Sequence, residues 1–189
     1  MDKIELIEEL KQPLFIEPIR IHYTQKKIKK TWEAVVSHDS VSILLFHEGK
    51  NAFVLVKQLR ATVLNKTKTD GHTYELCAGI VDKDASLAQI AKEEIFEECG
   101  YDIDVKQIQK VTAYYTSVGI SGAQQTLFFA TCNDSMKVSE GGGLEEEDIE
   151  VVYIPLEDAK KFMFDESYKK TPGMIMAFYW FFDNIKKPH

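Results

Sequence analysis

The sequence predicts an α+β sandwich, and three observations carry that reading. Residues 40–46 (SVSILLF) and 52–59 (AFVLVKQL) are apolar runs of strand length, joined by the hairpin loop His47-Glu48-Gly49-Lys50-Asn51. Residues 87–99 place Leu87, Ile90, Ala91 and Ile95 on one side of a helix at about 100° per residue. Strand and helix patterns are mixed along the chain, which fits a layered α+β architecture.

The elements follow in order. Residues 1–11 read as a short amphipathic helix or a mobile end, and 14–24 and 28–37 as two strands around the basic turn Gln25-Lys26-Lys27. Beyond the two apolar strands, residues 61–72 are polar and loop-like, and 73–77 form a strand leading into helix 87–99. Strands 109–115 and 124–131 enclose a Gly/Ser loop at 117–122. A polar loop at 133–148 contains Gly141-Gly142-Gly143 and precedes strand 149–154. The C-terminal region is helical, with Thr171 as cap and Pro172 as first residue. Its apolar run, Met174 to Phe182, is too short to span a bilayer, and its aromatic content points to burial in the core or at a subunit interface.

Composition narrows the function. A chain of 189 residues makes one domain, or one domain with a small appendage. Hydrophobic content of 44% supplies a core. A net charge of -7 argues against a nucleic-acid binder, while an anionic substrate stays possible because a bound cation reverses the local field. Cys77, Cys99 and Cys132 are odd in number and lack ligand spacing, which fits a reducing cytoplasm. The N-terminal stretch shows no signal-peptide pattern, so a cytoplasmic location is expected.

The chemistry is concentrated in helix 87–99. Glu94, Glu97 and Glu98 stand at i, i+3 and i+4 and fall on the same side of the helix as its apolar residues. Like charges so placed repel, and a partly buried carboxylate must either neutralise or find a cation. Clustered carboxylate oxygens suit a hard divalent ion, Mg²⁺ before Mn²⁺.

These residues carry a resemblance. The stretch from Gly79 to Tyr101, GIVDKDASLAQIAKEEIFEECGY, resembles the Nudix box, with Gly79, Glu94, Ile95, Glu97, Glu98, Gly100 and Tyr101 at the box spacing. Ala85 and Glu93 depart from it, standing where the box carries Glu and Arg. The run from Ile19 to Pro155 is similar to the nucleotide-sugar branch of that family, through strings such as His38-Asp39-Ser40-Val41, Glu75-Leu76-Cys77-Ala78-Gly79 and Tyr115-Thr116-Ser117-Val118-Gly119. It most resembles the UDP-sugar pyrophosphatases, with the ADP-ribose pyrophosphatases second.

The resemblance implies an α/β/α sandwich around a mixed β-sheet with an N-terminal β-hairpin extension, divided as 1–38 and 39–189. It implies Mg²⁺-dependent hydrolysis of UDP-glucose to UMP and glucose 1-phosphate. Glu94, Glu97, Glu98 and the Ala78 carbonyl would hold metal, and Glu145 or Glu147 would serve as base. Arg60, a cation ending an apolar strand, would sit on the diphosphate, and Glu75 would lie near the substrate or else orient Arg60; Trp32 would stack on the base, and Ser117, Gly119 and Gln124 would touch sugar or phosphate. It also implies a homodimer built through the N-terminal hairpin. ADP-ribose hydrolysis is the alternative within the enzyme class. A catalytically weak sensor of nucleotide sugars, motivated by Ala85 and Glu93, is the alternative outside it.

Overall fold

A computed structural model describes residues 3–7, 11–12, 16–144 and 147–186. Its centre is a seven-stranded mixed sheet formed by β3 (Ser40–His47), β4 (Ala52–Leu59), β5 (His72–Glu75), β6 (Cys77–Ile80), β7 (Gln109–Tyr115), β8 (Gln124–Cys132) and β9 (Ile149–Pro155). The path runs β5-β4-β3-β8-β7, with β6 paired to β3 and β9 paired to β4. β3 and β8 are parallel, and the remaining pairs are antiparallel.

Alternation along β3 and β4 builds two cores, because successive side chains leave opposite faces of a sheet. Val41, Ile43 and Leu45 join Ile90, Ala91 and Ile95 of helix α2 (Leu87–Cys99) on one face. Leu44, Phe46 and Phe53 meet Ala177, Phe178 and Phe181 of helix α4 (Pro172–Asn184) on the other, along with Phe162 of helix α3 (Ala159–Phe164). Phe53 stacks on Phe178 at 3.9 Å between ring centroids, and each buried aromatic here removes on the order of 150–250 Å² from water. Burial on both faces explains why these strands read as continuous apolar runs. The expected α/β/α sandwich with its N-terminal hairpin is what the chain forms.

Two expectations fail for instructive reasons. Residues 61–67, read as loop, form helix α1 (Ala61–Thr67). Its sequence, ATVLNKT, is a weak helix former. Buried Leu64 anchors it, and Lys68 closes it in the left-handed region at φ 62°, donating its N–H to Leu64. Residues 73–77, read as one strand, belong to two. β5 pairs with the far half of β4, and β6 pairs with the near half of β3. The reason is that β3 and β4 are in register only at Leu45–His47 and Ala52–Val54 and then diverge. The chain turns at Leu76 inside that wedge, so one short segment serves both strands.

The N-terminal strands β1 (Glu17–Gln25) and β2 (Ile28–Val36) form a separate two-stranded sheet with full register from Glu17↔Val36 to Gln25↔Ile28. Lys26 and Lys27 make its turn, both at positive φ, as a two-residue hairpin matched to strand twist requires. The hairpin touches the body at the 117–121 loop, where Val35 donates its N–H to Ile120 at 2.8 Å and the Ser37 and Ser121 hydroxyls meet at 2.6 Å. Ile21, Ile28, Trp32 and Val36 remain exposed on it. Among the described residues no helix is long and apolar enough to cross a membrane.

Candidate active site

Helix α2 positions the three acids. Ser86 starts the helix by accepting the Gln89 N–H at 3.2 Å, and Gly100 ends it at φ 73°. A side chain at Gly100 would collide with the Ser139 carbonyl, so the box glycine here answers both conformation and space. Glu98 is 5% exposed and accepts the Ala78 N–H at 3.0 Å. Burial pushes its carboxyl up to about 8, against the pull of the Ala78 N–H and the Cys77 thiol. Burial, then the charge of Glu97, pushes Glu94 up to about 7. Glu94 lies directly over Gly79, where any Cβ would overlap its carboxylate. The box glycine and first box acid are therefore a matched pair across strand β6.

Glu147 joins the cluster from the segment before β9. Its carboxylate accepts the Leu144 N–H at 2.8 Å, and its charge helps to raise both Glu94 and Glu98. Glu145 lies outside the described residues. The run Gly141-Gly142-Gly143 is tied down here. All three residues have positive φ, and the N–H groups of Gly142 and Gly143 cap the Glu98 and Glu97 carbonyls at 3.0 and 3.1 Å. A Cβ at Gly143 would strike Glu147. The glycines thus seat the Glu147 segment against the end of α2.

Arg60 sits at the end of β4 and forks onto Glu75 with two hydrogen bonds of 2.9 Å, while the Thr73 hydroxyl donates to the same carboxylate at 2.5 Å. Burial pushes Glu75 upward, and the Arg60 and Thr73 hydrogen bonds outweigh it, leaving the carboxyl below its ordinary value. The Glu75 hydrogen bond raises Arg60, with the charges of Glu98 and Glu147 adding to it. Arg60 is therefore held by Glu75 within the field of the acid cluster.

The two departures from the box face elsewhere. Glu93 accepts from Gln89 at 2.8 Å and pairs with Lys83, and Lys92 pairs with Asp102 at 2.9 Å. Neither replaces the missing box arginine. The Lys83 charge does reach Glu94, pulling it down against the larger effect of burial. Ala85 packs on the α2 core.

A cavity of about 590 Å³ opens beside this cluster and is lined by Glu75, Ala78 and Ser117, among others. Trp32 is 53% exposed and donates its indole N–H to the Gly119 carbonyl at 3.0 Å, on the loop that begins at Ser117. Gln124 donates its backbone N–H to Asp39 at 2.8 Å, and its neighbour Gln125 lines the cavity instead. The sequence reading did not single out Ser42, Tyr114, Gln125 or Gly173, which share that cavity. The available signal was Ser42 itself, a hydroxyl inside an otherwise apolar strand. Among the described residues no three Asp, Glu, His or Cys side chains converge into a ready-made metal shell.

Comparison with known proteins gives the family to which this chain belongs. The NUDIX domain model matches residues 36–172, and the chain belongs to the Nudix hydrolase family of enzymes. It is 38% identical to the uridine diphosphate glucose pyrophosphatase NUDT14 of Bos taurus over 90% of both chains. It is 35% identical to the protein of that name from Mus musculus, over 93% of this chain and 91% of the other. The GDP-mannose pyrophosphatase of Enterobacter sp. (strain 638) is 31% identical over 94% of both chains.

Proposed function

We propose that this enzyme hydrolyses the diphosphate of a nucleoside diphosphate sugar in a Mg²⁺-dependent reaction, converting UDP-glucose to UMP and glucose 1-phosphate. The observation that carries the reading is the mutual electrostatic influence of Glu94, Glu97, Glu98 and Glu147, which reaches Arg60 as well. The relatives named for UDP-glucose, similar over nine-tenths of the chain, support the substrate class.

The donor set fits a hard divalent cation. It consists of carboxylate oxygens, and burial first, with the neighbouring acid charges adding to it, raises Glu94 and Glu98, a penalty that a bound cation would relieve. Glu94, Glu97, Glu98 and the Ala78 carbonyl would hold the ion, with Mn²⁺ as a substitute for Mg²⁺. When bound it neutralises phosphate oxygens and acidifies water.

The remaining work falls to the chain. Arg60 offers its fork to the diphosphate, with Glu75 fixing the guanidinium plane. Glu147, or Glu145 before the same strand, takes the proton from the attacking water. The water oxygen bonds to one phosphorus, the bridging P–O bond breaks, and the bridging oxygen leaves with the other phosphate. Trp32 stacks on the base, with Ser117 and Gly119 at the mouth of the cavity.

The division into a hairpin extension, 1–38, and a hydrolase body, 39–189, belongs to the same reading. The exposed Ile21, Ile28, Trp32 and Val36 would be covered in a homodimer built through the hairpin. The test is phosphate-coupled turnover in millimolar Mg²⁺, with an EDTA control, of UDP-glucose, ADP-ribose and GDP-mannose side by side. Metal-dependent preference for UDP-glucose is expected. Preference for ADP-ribose moves the enzyme to the sister activity, and binding without turnover makes it a sensor.

A further inference from the structure

The cavity beside the acid cluster lies on the α4 face of the sheet, opposite α2. Its position follows from strand alternation: Ser42 falls between Val41 and Ile43 of the α2-side core and shares its face with Leu44 of the other. Ser42 is 1% exposed and lines the cavity; its hydroxyl meets no partner at hydrogen-bond geometry among the described residues, and its neighbour is the Tyr114 hydroxyl, which it pulls down against the effect of burial. A buried polar group left unpaired in a folded chain calls for an explanation.

Two of the other polar side chains of the cavity hold each other in place. Tyr114 gives its hydroxyl proton to Gln125 Oε1 at 2.8 Å, and Gln125 Nε2 donates to Ser40 at 3.1 Å. The Tyr114 oxygen therefore faces the cavity with lone pairs to offer. Helix α4 enters end-on, with Thr171, Pro172 and Gly173 at the wall. The Thr171 side chain makes no capping bond, and first-turn N–H groups such as that of Gly173 have no intrahelical acceptor. Gly173 is glycine because a Cβ there would strike the Tyr114 hydroxyl. Leu76, Met174 and Met176 complete the wall with apolar surface.

This chemistry selects an occupant. Among the described residues no Lys, Arg or His lines the cavity, and the one acid among them, Glu75, is committed to Arg60. It therefore suits a neutral group and not the phosphates. Its polar groups mix donors and acceptors, as hydroxyls do, and its apolar walls suit the C–H faces of a sugar ring. The base already has an aromatic partner in Trp32 at the loop beyond Ser117. Ala78 lines the cavity and gives its N–H to Glu98, so one residue of β6 borders both the cavity and the acid cluster.

We propose that this cavity receives the glycosyl half of the nucleotide sugar and that the Ser42 hydroxyl, with the Tyr114–Gln125 pair and the α4 N-terminus, selects among sugars; the assignment rests on the functional reading above.

The test uses two substrate series on the full chain. UDP-glucose and UDP-galactose vary the sugar, while UDP-glucose and GDP-glucose vary the base. Ser42→Ala is expected to lower kcat/KM for UDP-glucose by about five- to tenfold, the worth of one hydrogen bond, and to change the glucose-to-galactose ratio. The UDP-to-GDP ratio stays constant. Tm stays level or rises, because the variant deletes an unpaired buried hydroxyl. A merely structural role would lower Tm and leave both ratios alone. Gly173→Ala, which displaces the Tyr114 hydroxyl, is expected to shift the same sugar ratio. A changed base ratio with a constant sugar ratio puts the nucleoside in the cavity and overturns the proposal, as does constancy of both ratios. Absence of wild-type turnover on every nucleotide sugar is a different result: it refutes the functional reading itself, and the cavity assignment falls with it.

Discussion

Replacing Glu98 by Gln separates the two properties that burial gives this carboxyl. The amide keeps the volume and an acceptor oxygen for the Ala78 N–H. In the folded chain burial holds Glu98 protonated up to about pH 8, whereas the ordinary value is 4.5. The folded value is raised, so the folded state binds the proton more tightly than the unfolded chain. Its stabilising effect is fully present below 4.5 and is lost as pH rises towards 8. Each pH unit in that window removes about 1.4 kcal/mol, or roughly 3 kcal/mol by neutral pH. Gln does not titrate and escapes that loss. A domain of this size moves about 2–4 °C in Tm per kcal/mol, so Glu98→Gln should melt roughly 6–12 °C above wild type near pH 7 in EDTA. Near pH 4 the two proteins should melt together. In Mg²⁺ the order should narrow or reverse, because metal binding stabilises only the protein that can ligate it. Turnover of UDP-glucose should fall at least about 100-fold. Thermal melts across pH, with and without metal, read the first effect, and coupled kinetics read the second. A Tm difference independent of pH would show that burial does not hold the carboxyl protonated. Near-wild-type turnover would remove Glu98 from the metal set.

Other substitutions test the neighbouring roles. Gly79→Ala places a methyl where the Glu94 carboxylate lies, so it should abolish metal-dependent turnover while circular dichroism shows the fold retained. Arg60→Lys breaks a bidentate fork onto Glu75 and should raise KM by about tenfold with less than about 1 kcal/mol change in stability, since Arg60 is half-exposed. Of Glu145→Gln and Glu147→Gln, the one that removes the base should lower kcat by about 10²–10⁴-fold without raising KM, and equal small effects would place the base elsewhere. Trp32→Ala should weaken nucleotide binding and, if the hairpin joins two subunits, shift the sedimentation profile towards monomer. An unchanged profile in a chain lacking residues 1–38 would dispose of the dimer.

The sequence by itself determined the parts of this protein whose contacts are local. Glu94, Glu97 and Glu98 share a helix face because they are one turn apart, and Ser86 and Gly100 bound that helix by backbone chemistry within a few residues. The apolar runs at 40–46 and 52–59 announced the central strands because both of their faces are buried. Arg60 was legible as a cation ending an apolar strand, and its tie to Glu75 as one alternative. The tertiary structure decided the rest. Helix α1 forms from a weak helical sequence because Leu64 has a place to pack, and residues 72–80 split between β5 and β6 because β3 and β4 diverge, which periodicity within one segment cannot reveal. The triple glycine became a clamp on α2 when its N–H groups met the Glu97 and Glu98 carbonyls, some forty residues earlier in the chain. The cavity beside them exists only where Ser42, Tyr114 and Gly173 meet, on a strand, a second strand and a helix far apart in sequence. Sheet register and the docking of α4 bring those three together, and both are settled by long-range burial that no local pattern encodes.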